Sequence, residues 1–295
     1  MSQGHGAPDA QKTRIANSMG RARILMEALP YIKAFRGTTV VIKYGGAAMD
    51  DPRLRDSFAG DVTLLSMVGI RPVVVHGGGP QISAAMASEG IESTWLDGLR
   101  VTDAATVAVV QRTLVGVINP EIVRFLNGHG ASAIGINGLD ADLFRASPRR
   151  PELGFVGEVT SVNTGLIEGM VERGLVPVIA PIARGEDGEV YNVNADSAAA
   201  ILARSLQAQK LVYLTDVEGV YRDPADPATL ISRMDVAELE ILLSSTTGGM
   251  LPKLASVQEA LEGGVAQAHI LDGRIEHALL LEVFTSAGIG TMVTP

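Results

Sequence analysis

The chain has 295 residues, 46% of them hydrophobic, and a formal net charge of −9, which argues against a nucleic-acid partner, since gripping a phosphate backbone takes a basic surface. It contains no cysteine, and that removes disulfides, thiolate catalysis and cysteine-ligated zinc or iron–sulfur centres. The polar start from Met1 to Arg14 lacks the apolar centre of a secretory signal, and no apolar run reaches the ~20 residues that cross a bilayer, so the expectation is a cytoplasmic protein with no membrane partner.

In chain order, residues 1–9 read as a disordered start. From Ala10 to Phe35, Ile15, Met19, Ala22, Leu25, Leu29 and Ile32 recur at helical spacing while Arg14, Arg21, Arg23 and Lys33 fall elsewhere. That pattern predicts an amphipathic helix with a kink at Pro30. It either packs on its own domain or serves as an arm against another subunit, and the sequence leaves both open. Short β-rich runs then alternate with helical ones. Strands are expected at 38–43, 72–75, 132–136, 176–180, 210–214 and 267–271. Helices are expected at 53–68, 81–89, 104–126, 163–173, 197–207, 236–243 and 254–262. Such alternation implies an α/β protein with an open, mostly parallel sheet sandwiched by helices. The interval 139–162, which contains Pro148 and Pro151, breaks the rhythm and reads as a β-hairpin insertion.

Two predicted strands end in glycine clusters, Lys43-Tyr44-Gly45-Gly46 and His76-Gly77-Gly78-Gly79-Pro80. Ligands of open α/β sheets bind at the C-terminal ends of the strands. Glycine there lets backbone N–H groups approach an anion, and a following helix N-terminus adds a favourable dipole. A lone glycine pair is more often a tight turn; two loops, one carrying Lys43, favour an anion cradle. Neither a G-x-x-x-x-G-K-[ST] run nor a G-x-G-x-x-G opening a helix is present, which disfavours P-loop and Rossmann readings. With five dispersed histidines, no dedicated metal site is expected. A third pair, Gly248-Gly249, precedes Met250-Leu251-Pro252-Lys253, where Pro252 suits a first helical turn and places Lys253 near a helix N-terminus. Asp196, before an alanine-rich helix, reads by itself as an N-cap.

Taken in order, these segments resemble the amino-acid kinase family. The resemblance rests on Lys43–Gly46, His76–Gln81, Asp97-Gly98-Leu99-Arg100-Val101-Thr102, Asn192-Val193-Asn194-Ala195-Asp196, Leu214–Val220 and Gly248–Lys253, and it spans about Thr38 to Pro295. The Gly-Leu-Arg-Val-Thr and Asn-Val-Asn-Ala-Asp runs resemble its acetylglutamate-phosphorylating branch more than relatives acting on carbamate, aspartate or UMP. The resemblance implies transfer of the ATP γ-phosphoryl group to the side-chain carboxylate of N-acetyl-L-glutamate, a step of arginine biosynthesis. It also implies two lobes, 37–205 for the acyl amino acid and 206–295 for the nucleotide, after an N-terminal part at 1–36; 37–295 can equally be counted as one domain.

By the same implication Lys43 and Lys253 stabilise the moving phosphoryl group and Asp196 orients both. Gly45, Gly46, Gly78 and Gly79 offer N–H groups, Arg100 binds the α-carboxylate, and Asn192 and Asn194 hold the amide end. Thr215, Asp216, Val217, Glu218, Gly219 and Val220, with Gly248, Gly249, Met250 and Lys253, would hold ATP, whose Mg2+ is bound mainly by phosphates and water. Ala47-Ala48 departs from the family, which often has a polar residue after the first glycine pair. The C-terminal segment and the N-terminal helix together resemble the arginine-inhibited hexameric branch, a trimer of dimers. In that branch Tyr31, Lys210, His269, Glu282 and Gly288 would surround the arginine. Two other readings stand beside this one: a kinase for another small carboxylate, and an inactive arginine-binding module.

Overall fold

The computed structural model describes residues 19, 26–223, 225–244, 246, 249–285 and 288–295. The expected disordered start and most of the N-terminal arm lie outside the described residues; a helix, α1, covers 26–35 and runs through Pro30. Next come β1 (Thr39–Tyr44), α2 (Pro52–Met67), β2 (Arg71–His76), α3 (Gly79–Ser88) and a small hairpin of β3 (Trp95–Leu96) and β4 (Leu99–Arg100). A long helix follows as α4 (Ala104–Thr113), a π-turn (Leu114–Ile118) and α5 (Asn119–Gly128). The chain continues through β5 (Ala133–Asn137), β6 (Phe144–Pro148), β7 (Val156–Val162), α6 (Gly165–Glu172) and β8 (Val176–Ala180). Then come β9 (Ile182–Gly185), β10 (Val190–Val193), α7 (Ala195–Ser205) and β11 (Lys210–Thr215). The last part holds β12 (Val220–Tyr221), β13 (Leu230–Ile231), β14 (Arg233–Asp235), α8 (Val236–Leu243), α9 (Met250–Glu262), β15 (Gln267–Asp272), α10 (Ala278–Phe284) and β16 (Thr291–Thr294).

One sheet of eight strands runs in the order β14-β16-β15-β11-β1-β2-β8-β5. All neighbours are parallel except β15 with β16. Its central strands are runs of β-branched and aliphatic residues because both faces are covered. Alternation assigns the faces. Val40, Ile42 and Val74 pack with Phe58, Val62 and Leu126 of α2 and α5. Val41, Val73 and Val75 pack with Leu202 of α7 and Leu254 and Val257 of α9.

The expected hairpin insertion is present as β6 and β7, but the strands do not stand alone. β9 and β10, which the sequence reading did not separate as strands, close with them into a four-stranded barrel in the order β10-β7-β6-β9. The sheet edge formed by β14 and β16 was likewise not expected. These strands are three or four residues long, too short for alternation to register, and their pairing is set by partners remote in sequence. The π-turn has a local cause. Pro120 has no N–H to return to the preceding turn, and the N–H of Asn119 bonds Leu114 O in the wider i→i+5 pattern.

Candidate active site

Strand parity decides where Lys43 points. It shares a face with Val41, whose side chain packs toward α7 and α9. Each of those helices brings one ionisable group from its first turn, Asp196 on α7 and Lys253 on α9. Lys43 Nζ lies 3.1 Å from Asp196 Oδ1, and Lys253 Nζ donates to Asp196 Oδ2 at 2.8 Å. One carboxylate therefore bridges two ammonium groups in a nearly dry setting; the three side chains sum to +1, and Asp216 adds a weaker attraction on Lys253. Burial opposes ionisation of Asp196, yet Lys43 and Lys253 outweigh it and hold the carboxyl well below the usual range. Burial pulls Lys253 below the ordinary lysine value, against the attraction of Asp196 and with the repulsion of Lys43. The Tyr213 ring sits 5.1 Å from Lys253 Nζ. Its hydroxyl meets Ser256 Oγ at 2.8 Å, and that oxygen donates to Lys253 O at 2.7 Å.

The cap of α7 is Asn194, not Asp196. Asn194 Oδ1 accepts the N–H groups of Asp196 at 2.9 Å and Ser197 at 3.1 Å. This corrects the N-cap reading of Asp196 and explains why its carboxylate is available to the lysines. Asn192 Nδ2 reaches Thr102 Oγ1 at 3.3 Å, which ties β10 to the segment that follows Arg100.

Both glycine loops leave the sheet beside this cluster. A Cβ at Gly45 would stand 2.9 Å from Lys43 Nζ. Gly46 has φ +69°, and a Cβ there would run into the Asp216 carboxylate. At Gly78 a Cβ would strike Ile118, whereas nothing crowds Gly79. Gly78 precedes the first residue of α3 and offers no side-chain cap, and no acceptor among the described residues pairs with the N–H of Gly78 or Gly79. The loop runs beside Lys43, since a Cβ at Gly77 would lie 4.0 Å from Lys43 Cε, and a helix N-terminus favours an anion.

Arg100, only 5% exposed, is held by neutral groups. It donates to Ser93 Oγ at 2.6 Å, Ser83 Oγ at 2.8 Å and Gly79 O at 3.0 Å. Its guanidinium lies over Trp95 at 4.5 Å. No carboxylate among the described residues pairs with it, although buried charges are normally paired. Such a cation suits an anionic ligand.

The 215–220 segment begins at the last residue of β11. Gly273 N donates to Thr215 O at 2.8 Å, Asp216 reaches toward Gly46, and Val217 packs on the core. Glu218 accepts from Tyr221 Oη at 2.6 Å, and Val220 N donates to Thr291 Oγ1 at 2.8 Å. Gly219 leaves no room for a Cβ beside Thr291. Gly249 and Met250 start α9; Gly248 lies outside the described residues.

Residues 38–272 match the amino acid kinase family. The chain belongs to that family. Among relatives of the same family, the acetylglutamate kinase of Caldanaerobacter subterraneus subsp. tengcongensis is 50% identical over 287 residues, 96% of either chain. The chain also resembles N-acetylglutamate synthase from Neisseria gonorrhoeae in complex with coenzyme A and N-acetyl-glutamate, with TM-score 0.83 and 30% identity over 93% of this chain. The same synthase with coenzyme A and L-arginine aligns with TM-score 0.80 and 28% identity over 92% of this chain. This chain spans 63% and 65% of those synthase chains.

Within this amino acid kinase fold a second buried cluster occupies the opposite end of the sheet. Lys210 begins β11 and His269 lies on β15. Lys210 Nζ donates to Gln267 Oε1 at 2.6 Å and to His269 Nε2 at 3.1 Å. An ammonium only donates, so the His269 proton resides on Nδ1 and is given to Glu282 Oε1 at 2.6 Å. Burial lowers His269, and the imidazole is neutral. Burial also pushes Lys210 down to about 8. Gly288, at φ +60°, would bring a Cβ within 3.1 Å of Glu282 Oε2. Four of the five residues expected around an arginine thus meet. From α1 it is Phe35, 4.8 Å from Lys210 Nζ, that covers the cluster; Tyr31 lies one turn earlier. The sequence reading missed Tyr213, Ser256 and Phe35, none of which carries a motif, and it missed Ser83 and Ser93 as partners of Arg100.

Proposed function

We propose that the chain phosphorylates the side-chain carboxylate of N-acetyl-L-glutamate at the expense of ATP. The observation that carries this reading is the Lys43–Asp196–Lys253 bridge beside two glycine loops. Two anions must be brought together in line, and charge on the moving group must be neutralised; neither task needs covalent help. Lys43 and Lys253 supply positive charge on two sides of the phosphoryl group, and Asp196 keeps both ammonium groups in place before substrate arrives. The Gly45, Gly46, Gly78 and Gly79 N–H groups receive phosphoryl and acceptor oxygens. Arg100, buried without an acid, takes the α-carboxylate, and Asn192 lies on the amide side; the Asn194 side-chain oxygen is committed to its cap, which leaves its Nδ2 for ligand. ATP occupies the 215–220 and 249–253 segments, and Mg2+ enters as part of the nucleotide substrate. An ATP-dependent assay on N-acetylglutamate, glutamate, aspartate and carbamate tests the reading. Turnover confined to N-acetylglutamate supports it; equal or greater turnover of another acceptor, or none of any, overturns it.

The Lys210–His269–Glu282 cluster supports a second site, for inhibitory arginine. The Glu282 carboxylate suits a guanidinium, and an arginine complex of the similar synthase points the same way. Assembly as a hexamer through the N-terminal arm belongs to this proposal. Rates under an arginine titration, for the full chain and for a chain lacking residues 1–33, together with solution mass, test it. An unchanged rate in the full chain removes the inhibitory site.

A further inference from the structure

The second glycine loop is the most demanding piece of backbone in the site, because three consecutive glycines have little conformational preference of their own. Something outside the loop must decide where the N–H groups of Gly78 and Gly79 point. The surroundings contain one buried polar network that the proposed chemistry does not use. His76, the last residue of β2, is fully buried, and Asn119, the first residue of α5, is 4% exposed. Asn119 Nδ2 reaches Val178 O at 2.9 Å, Ile136 O at 3.3 Å and His76 Nε2 at 3.2 Å. Two of those partners are carbonyl oxygens, which only accept, so the amide nitrogen and not its oxygen stands there. The amide nitrogen has two hydrogens for these three partners, so one is shared; His76 Nε2, facing a nitrogen that only donates, is an acceptor, and the single proton of the neutral ring sits on Nδ1. That nitrogen lies 2.9 Å from Gly77 O, to which it donates. Burial pushes His76 down to about 4, so the ring stays neutral near pH 7.

The chain of bonds therefore runs from the carbonyls of β8 and β5, through Asn119 and His76, to the first carbonyl of the glycine loop. Its other side is fixed as well. Gly77 N donates to Tyr44 O at 2.8 Å, and Leu114 and Ile118 of the π-turn press on Gly78 from the side where a Cβ would lie. The π-turn and Asn119 are consecutive, so the same irregularity that accommodates Pro120 presents both the apolar wall and the amide.

We propose that Asn119 and His76 are a positioning pair for acceptor binding, locking the peptide after Gly77 so that the Gly78 and Gly79 N–H groups face the ligand. The pair touches no substrate; it acts through the loop. The inference rests on the reading that this loop holds acceptor oxygens, and two measurements separate the fates of the two ideas. In the unmodified chain, ring 15N shifts of His76 are expected to report a neutral Nδ1–H tautomer at about pH 6. An Nε2–H tautomer overturns the pair whatever the enzyme phosphorylates. In kinetics, Asn119→Leu and His76→Leu are expected to raise KM for N-acetylglutamate about tenfold while KM for ATP stays within about twofold. His76→Asn, whose amide nitrogen can replace Nδ1 as donor to Gly77 O, is expected to return KM to within about threefold of the parent. Unaltered acceptor KM in the leucine variants overturns the proposal. So does a parallel change in both KM values with His76→Asn as impaired as His76→Leu.

Discussion

Two buried lysine clusters sit on neighbouring strands, and they differ in how their charge is closed. Lys43 lies toward the C-terminal end of β1 and Lys210 at the start of β11, three residues apart in register, since Val40 pairs with Lys210. At the first, one carboxylate serves two lysines and a net positive charge is left over beside unpaired N–H groups. At the second, a neutral histidine links one lysine to one glutamate, and the charges balance. An excess of positive charge attracts a polyanion. A balanced pair suits a ligand that carries both signs and can insert between them. Parallel strands separate the two by direction: all the strand ends that open into helix-start loops lie on one side, and the closed cluster lies on the other.

The largest test of this contrast is Lys253→Ala, which removes one of the two positive charges and with it the surplus over Asp196. We expect kcat to fall by about two orders of magnitude or more, measured at saturating ATP, and activity within severalfold of the parent removes Lys253 from the chemistry. Asp196→Asn inverts the problem by leaving two adjacent ammonium groups without the carboxylate that bridges them, and only the weaker attraction of Asp216 on Lys253 remains. We expect a loss of about 3 kcal/mol in urea unfolding together with a lower kcat; unaltered stability would mean that the bridge is not holding the lysines. Arg100→Lys keeps the charge but loses the planar fork, and KM for N-acetylglutamate should rise about tenfold or more with a smaller change for ATP. At the balanced cluster, Glu282→Gln should shift the half-inhibiting arginine concentration upward by about tenfold, and an unshifted titration would detach Glu282 from arginine.

The smallest expected effect on activity concerns α10, the helix that carries Glu282. Its start is joined to α2 by Asp61, which meets His277 Nδ1 at 2.7 Å. Burial pushes Asp61 up to about 6 from 3.8, against the attraction of His277. Between those values the folded chain binds a proton that the unfolded chain has released, so this residue's contribution to stability declines as pH rises through the interval. Asp61→Asn should flatten that part of the stability profile, by about 3 kcal/mol at most; an identical profile would show that Asp61 does not titrate there.

Much of this was legible in the chain itself. The central strands appeared as aliphatic runs because burial on both faces demands them, and strand 176–180 coincides with β8. Both glycine loops were visible because nothing but glycine lets backbone come so close to an anion or, at Gly78, to Ile118. Lys43, Lys253 and Asp196 were singled out by their neighbours and by family resemblance, and the structure brings them together. The rest depends on contacts between remote segments. No local pattern marks Asn119, whose three acceptors come from β2, β5 and β8, or the two serines that hold Arg100. The barrel strands are too short to show a period, and Asn194 was indistinguishable from Asp196 as a cap until the helix start was placed. The sequence by itself determined which segments become strands and helices and which loops can approach an anion, since those follow from burial and backbone freedom. That Asp196 serves two lysines was implied by family resemblance and by no local pattern; only the tertiary structure brought the three groups within bonding distance and matched Glu282 with a single lysine, because charge balance is a property of neighbours in space.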